Sequence, residues 1–120
     1  MLFGKLNPEL KSKWLTALRS GEYEQARGDL SRGKGFCCLG VLCQVAGLEL
    51  EKQSYGVTHD ASNAVVVDGV VVGYKPIEDL LGGGEVGSDA VSELYSRNDG
   101  LREHHKHSFA KIADYIEEKL

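Results

Sequence analysis

Proline is scarce in this chain, at two residues in 120, and long polar tracts are missing. Extended disorder is therefore not expected. No apolar run approaches the ~20 residues a membrane helix needs. The opening Met1-Leu2-Phe3-Gly4-Lys5-Leu6 lacks the apolar centre of a targeting segment, so no membrane partner is expected. Positive charge is also short. Lys and Arg number 14 against 18 Asp and Glu, a formal net charge of −4, with a pI near 5.5. Dedicated nucleic-acid binders display a basic surface, so a nucleic-acid partner is disfavoured, although a local basic patch can survive a negative total. Disulfide pairing is lacking as well. There are three cysteines, an odd number, and Cys37 and Cys38 are adjacent. Free thiols in a reducing cytoplasm are the expectation.

What is present is ordinary globular material, 42% hydrophobic and 27% charged. A chain of this length forms one domain, residues 1–120, and removes roughly two-thirds of its unfolded surface from water. Fifteen glycines are the compositional oddity. They gather at Gly28, Gly33 and Gly35 and again at Gly82-Gly83-Gly84, where turns or close backbone approaches are expected.

The first helix is predicted over 8–19. Asn7 is a good N-cap, Pro8 suits the first helical position, and Glu9 complements the dipole. Leu10, Trp14, Ala17 and Leu18 form one apolar stripe, with Trp14 as a core anchor. From Glu22 to Phe36 a hairpin or strand–loop–strand is expected around Ser31-Arg32-Gly33-Lys34-Gly35. Phe36–Gly47 is the longest nearly uncharged run and holds all three cysteines; it reads as a buried helix over 37–46 ended by Gly47. Gly40 in mid-helix costs about 1 kcal/mol against alanine, so close packing against another element is expected there.

Residues 48–63 read as polar and irregular. Ala64–Tyr74 holds two valine runs around Asp68-Gly69, the pair that a type I′ turn favours. This predicts a β-hairpin whose valines are covered on both faces or protected by a partner at the edge. A short helix over 76–81 follows, then a flexible loop at Gly82–Gly87. A helix from Ser88 to about Arg97 and a turn at Asn98-Asp99-Gly100 come next. The last helix, from Ser108, places Phe109, Ile112, Ala113, Ile116 and Leu120 on one face. Helices mixed with hairpins predict an α+β fold, with a buried central cysteine helix between two packed terminal helices.

The cysteines do not form a metal set. Cys38 and Cys43 lie about 140° apart around a helix axis, and Cys37 and Cys38 diverge as neighbours. Zinc would need histidines from elsewhere, such as His104, His105 and His107, and no metal or other cofactor is expected. A thiol at the helix N-terminus beside Lys34 or Arg32, with His59 or the 104–107 cluster as base, is the pattern of a cysteine-dependent enzyme.

The basic glycine segment is the stronger candidate. Arg27, Arg32 and Lys34 sit among glycines just before a helix start, whose N–H groups and dipole favour anions. Arginine adds forked donors for phosphate. The expected ligand set is therefore Arg27, Arg32 and Lys34 on phosphate, Tyr23 stacked on a base, Cys38 at the helix start, and Asn98 and Asp99 as hydrogen-bonding groups. The bland alternative is a set of solvated charges on a turn.

Three stretches carry a resemblance: Trp14–Leu30, Phe36–Cys43, and Asn98-Asp99 followed by Ser108–Glu117. Together they resemble a widespread group of small uncharacterised proteins of tailed phages, prophages and bacterial genomes. The valine hairpin, the triple glycine and the longer gap over 100–107 depart from that pattern. The resemblance implies a phage-linked cytoplasmic protein, acting in the host cytoplasm if phage-encoded. The leading expectation is a non-enzymatic binding protein that antagonises a host defence pathway by sequestering a small phosphate-bearing nucleotide signal. Inhibition of a host protein through the acidic surface and cysteine-dependent catalysis are the alternatives. A homodimer through the valine edge is also open.

Overall fold

The computed structural model describes residues 6–55, 59–100 and 107–120. Helix α1 (Pro8–Ser20) begins as its capping signal dictates: the Asn7 side chain accepts from the N–H groups of Glu9 and Leu10 at 2.9 and 3.2 Å. Gly21, at φ 79°, closes it. Trp14, Ala17 and Leu18 point inward, and the Trp14 indole N–H donates to the Cys38 carbonyl at 3.0 Å. That single bond lets a large polar-tipped ring sit fully in the core.

Three two-residue strands follow, β1 (Glu24–Gln25), β2 (Ser31–Arg32) and β3 (Gly35–Phe36). β2 and β3 pair antiparallel about Gly33-Lys34, as expected, while β1 joins β3 in parallel. Helix α2 (Cys38–Ala46) is capped by Cys37 and ended by Gly47 at φ 74°. Its residues 38–43 are all buried. The cost of Gly40 has a clear cause. A Cβ there would lie 1.9 Å from the Leu30 carbonyl oxygen, so only glycine lets the helix rest on that backbone.

The stretch read as irregular is in fact stranded. β4 (Glu49–Leu50), β5 (Gln53–Tyr55) and β6 (His59–Ser62) fall in it. They are short and lack apolar alternation; β5 and β6 pair with each other locally, while β4 and β6 also take partners further away in sequence. β6 pairs with β2 and β5, giving a five-stranded sheet of order β1-β3-β2-β6-β5. β4 instead pairs with β7 (Val65–Val67), which pairs with β8 (Val70–Gly73) in a three-stranded sheet. Asp68 and Gly69, at φ 51° and 80°, make the left-handed turn between β7 and β8. Of the two arrangements expected for the valines, cover on both faces is not provided by the described residues: Val67, Val70, Val71 and Val72 are exposed.

Helix α3 (Lys75–Leu80) carries Pro76 in its first turn. The expected glycine loop is corrected next. Only Leu81–Gly83 separate α3 from α4 (Gly84–Asp99), so Asn98 and Asp99 lie on the last helical turn, before Gly100 at φ 76°. Gly87 sits within this helix because a Cβ there would come 2.2 Å from the Glu78 carbonyl oxygen. Its bare backbone permits the close α3–α4 approach. Helix α5 (Phe109–Lys119) starts at Ser108, whose hydroxyl accepts from the Lys111 N–H at 3.3 Å.

One continuous core joins α1, α2, α3, α4 and α5 with Val65 of β7. α1 packs on α2 as expected, but α5 packs mainly on α1 and secondarily on α4. Arg19 reaches Asp114 and Glu117 at 2.9 and 3.0 Å across the α1–α5 seam. The result is an α+β fold. Among the described residues, no helix is long and apolar enough to cross a membrane.

Candidate ligand cleft

The start of α2 and the end of α4 meet in a buried polar latch. The Asn98 side chain is wholly buried, and all of its groups are used. Its Oδ1 accepts from the Cys38 N–H at 3.2 Å and from Gln25 Nε2 at 2.9 Å. Its Nδ2 donates to the Ala26 carbonyl at 2.8 Å and to Asp99 Oδ1 at 2.9 Å. Gln25 Nε2 also donates to the His107 carbonyl at 2.8 Å. A buried amide is tolerated when every group is met. Here it also ties β1, α2, α4 and the approach to α5 at one point.

Asp99 extends the latch outward, its Oδ1 accepting from the Gly28 N–H at 3.0 Å. Beside it opens a cleft of about 430 Å³. Gly28 and Asp29 form one wall, and Cys37 and Leu39 form the floor. Asn63 and Tyr74, at the two ends of the valine hairpin, face Glu78 of α3. Ser88, Val91, Ser92, Tyr95 and Asp99 of α4 close it. Three acidic residues and two tyrosines thus line it, and no lysine or arginine is among the described lining residues. The Tyr74 hydroxyl donates to Asn63 Oδ1, and burial raises its pKa, so it stays a phenol. A larger groove of about 760 Å³ runs between the sheets past Phe36, Leu48 and Leu50. None of its lining residues is among those that bond Asn98.

The Cys37 thiol lies at the cleft floor. Its Sγ accepts from the Gly40 N–H at 3.4 Å, and burial pushes its pKa up to about 12 despite that bond. Burial likewise raises Cys38, and takes Cys43 to about 12. All three cysteines are free and buried.

The sequence-predicted residues part company here. Asp99 lines the cleft. Asn98 and Cys38 are buried behind it and bonded to each other. Arg32 stands beside the Asp29 wall, its Nε 3.6 Å from Asp29 Oδ2. Lys34 is exposed in the β2–β3 turn. Arg27 is half-buried, its Nε enclosed without a hydrogen-bond partner among the described residues. Tyr23 packs edge-on against Phe36, with ring centroids 5.8 Å apart. The three basic residues therefore do not share one cradle in the cleft. At the helix start, Asn98 Oδ1 and Cys37 Sγ already accept from the Cys38 and Gly40 N–H groups. His104 and His105 lie outside the described residues, as does the His59 side chain. Among the described residues no three His, Cys, Asp or Glu side chains cluster as metal ligands.

Sequence reasoning missed Asp29, Tyr74, Glu78 and Tyr95 as a set. Asp29, inside the glycine segment already under suspicion, was the one available signal. The other three come from separate elements that only packing brings together.

An α+β domain with a carboxylate-lined cleft beside a buried amide latch is the class of protein that emerges. Its family is shown by residues 6–120, which match the model described as Domain of unknown function (DUF8296); the chain belongs to that family. Searches of curated proteins and of solved structures found no match.

Proposed function

We propose that the protein is a non-catalytic binding protein whose cleft holds the sugar and base of a nucleotide-type signal molecule, withdrawing it from a host defence pathway. One observation carries this reading: Asp29, Glu78 and Asp99 line one cleft with Tyr74 and Tyr95, with no basic residue among its described lining residues. Carboxylates are acceptors suited to ribose hydroxyls. Aromatic rings beside them suit a flat base. Phosphate inside the cleft would meet like charge, so any phosphate would lie outside, on the Arg32 side. The host-directed role draws on the resemblance to small phage and prophage proteins.

Thiol catalysis fits this geometry less well. A nucleophile must reach the thiolate form, and the Cys37 thiol, with a pKa near 12, stays protonated at neutral pH.

Calorimetry and thermal shift with nucleosides, nucleotides and cyclic nucleotides test the proposal. Nucleosides alone should stabilise the protein, and Asp99→Asn should weaken them about tenfold by removing the charged acceptor. A folded sample that none of these molecules stabilises would sink it.

A further inference from the structure

We propose that β8 is a self-association edge, along which a second copy of this chain adds antiparallel across a two-fold axis. The result would be a continuous sheet of order β4-β7-β8-β8-β7-β4.

The backbone pattern comes first. β8 is an outer strand of its sheet. In a hairpin with a two-residue turn, the flanking residues exchange both hydrogen bonds, so the groups of the next pair point away from the hairpin. Here Val67 and Val70 flank the turn, and Val66 with Val71 is the next pair. Val66 turns its groups towards β4, where it pairs with Glu49, in step with the bond from the Glu51 N–H to the Ala64 carbonyl. By the same parity Val71 presents its N–H and C=O to solvent. These groups are open to a strand partner, and an antiparallel second Val71 supplies one donor and one acceptor in return.

The side chains point the same way. Val70, Val71 and Val72 are 61%, 52% and 37% exposed, and Val67 is 43% exposed. Natural edges are usually guarded by proline, lysine or inward charge, and β8 carries none of these. Its one irregularity is a bulge, since Val65 pairs with Gly73 and Val66 with Val71, skipping Val72. The bulge shortens the usable edge, so the junction would be a reversible one.

Charge selects a second copy over an arbitrary strand. Asp68 is exposed at the hairpin tip, and Lys75 follows at the far end of β8. Antiparallel pairing about Val71 brings each Asp68 towards its partner's Lys75. Lys75 also bonds its own Asp79 at 2.7 Å, so the partner's Asp68 would share it.

Sedimentation and light scattering, from micromolar to millimolar protein, decide the matter. The expected mass rises with concentration from 13.1 kDa towards twice that value. Val71→Pro removes a donor that bonds nothing within the hairpin, so the thermal midpoint should hold while the dimer is lost. Val71→Lys guards the same edge without any backbone change and should act alike. Asp68→Asn keeps the turn and should raise the dissociation constant about two- to fivefold, with weaker salt dependence. A single-copy mass at every concentration overturns the proposal, as does a dimer that survives both Val71 variants.

Discussion

The latch and the valine hairpin invert the usual placement of polar and apolar side chains. Asn98, a polar amide, is 0% exposed, whereas Val70 is 61% exposed. The difference lies in partners rather than in residue type. Asn98 is surrounded by the Cys38 N–H, the Ala26 carbonyl, Gln25 and Asp99, so dehydration leaves none of its groups unmet. Val70 belongs to an outer strand and is left exposed by the described residues. Burial follows the availability of complementary neighbours, and each region shows one half of that rule.

Breaking the latch should have the largest effect. Asn98→Ala strands the Cys38 N–H and the Ala26 carbonyl in the core and leaves Gln25 with its bond to the His107 carbonyl. A loss of about 4 kcal/mol is expected, read as a lower urea midpoint. A loss under about 1 kcal/mol would mean that water replaces the amide. Gly40→Ala tests the packing directly beside it. Helix propensity favours the change by about 1 kcal/mol, but the added carbon overlaps the Leu30 carbonyl. Net destabilisation of about 3 kcal/mol is expected from chemical denaturation. A neutral or stabilising result would refute the close contact.

The thiols sharpen the comparison through pH. Their native pKa values lie above the ordinary 9.0, at about 12 for Cys37 and Cys43. Between those limits the unfolded chain loses protons that the folded one keeps, so stability is full below pH 9.0 and falls as pH rises. The expected slope is about 1.4 kcal/mol per pH unit for each thiol. Denaturation midpoints from pH 8 to 11 check it; a flat profile, or one that rises, contradicts thiol burial.

Substitutions outside the core should register least. Asp99→Asn leaves the latch in place, so its effect on stability should stay within about 1 kcal/mol while ligand affinity falls. Val70→Thr on the exposed strand should change the thermal stability of the dilute protein by no more than about 0.5 kcal/mol. A large loss there would show that the hairpin is covered in solution after all.

Much of this fold is local chemistry, and it was legible for that reason. Asn7-Pro8 starts α1, Ser108 starts α5, Gly47 ends α2, and Asp68-Gly69 turns the hairpin, each through groups within four residues of one another. Of the candidate site, Asp99 and the neighbourhood of Arg32 were in view, as was the importance of the α2 start. What could not be read there is that Asn98 arrives from sixty residues away to take the Cys38 N–H. β5 is a polar strand held by its neighbour β6, and distance hid β4 and β6, which pair with β7 and β2. It hid the true start of α4 as well. Triple glycine signals a loop locally, but the α3–α4 approach holds Gly84 and Gly87 in a helix.

By itself, then, the sequence determined the terminal helices with their caps, the valine hairpin and the buried cysteine helix, because backbone geometry and apolar periodicity act over a few residues. Only the tertiary structure decided what the glycines at 40 and 87 were for, where Asn98 went, and which acids met in the cleft. Those outcomes depend on backbone carbonyls and side chains brought together from distant parts of the chain. Such meetings leave no periodic trace in sequence, since a single contact, unlike a helix face, has no repeat to read.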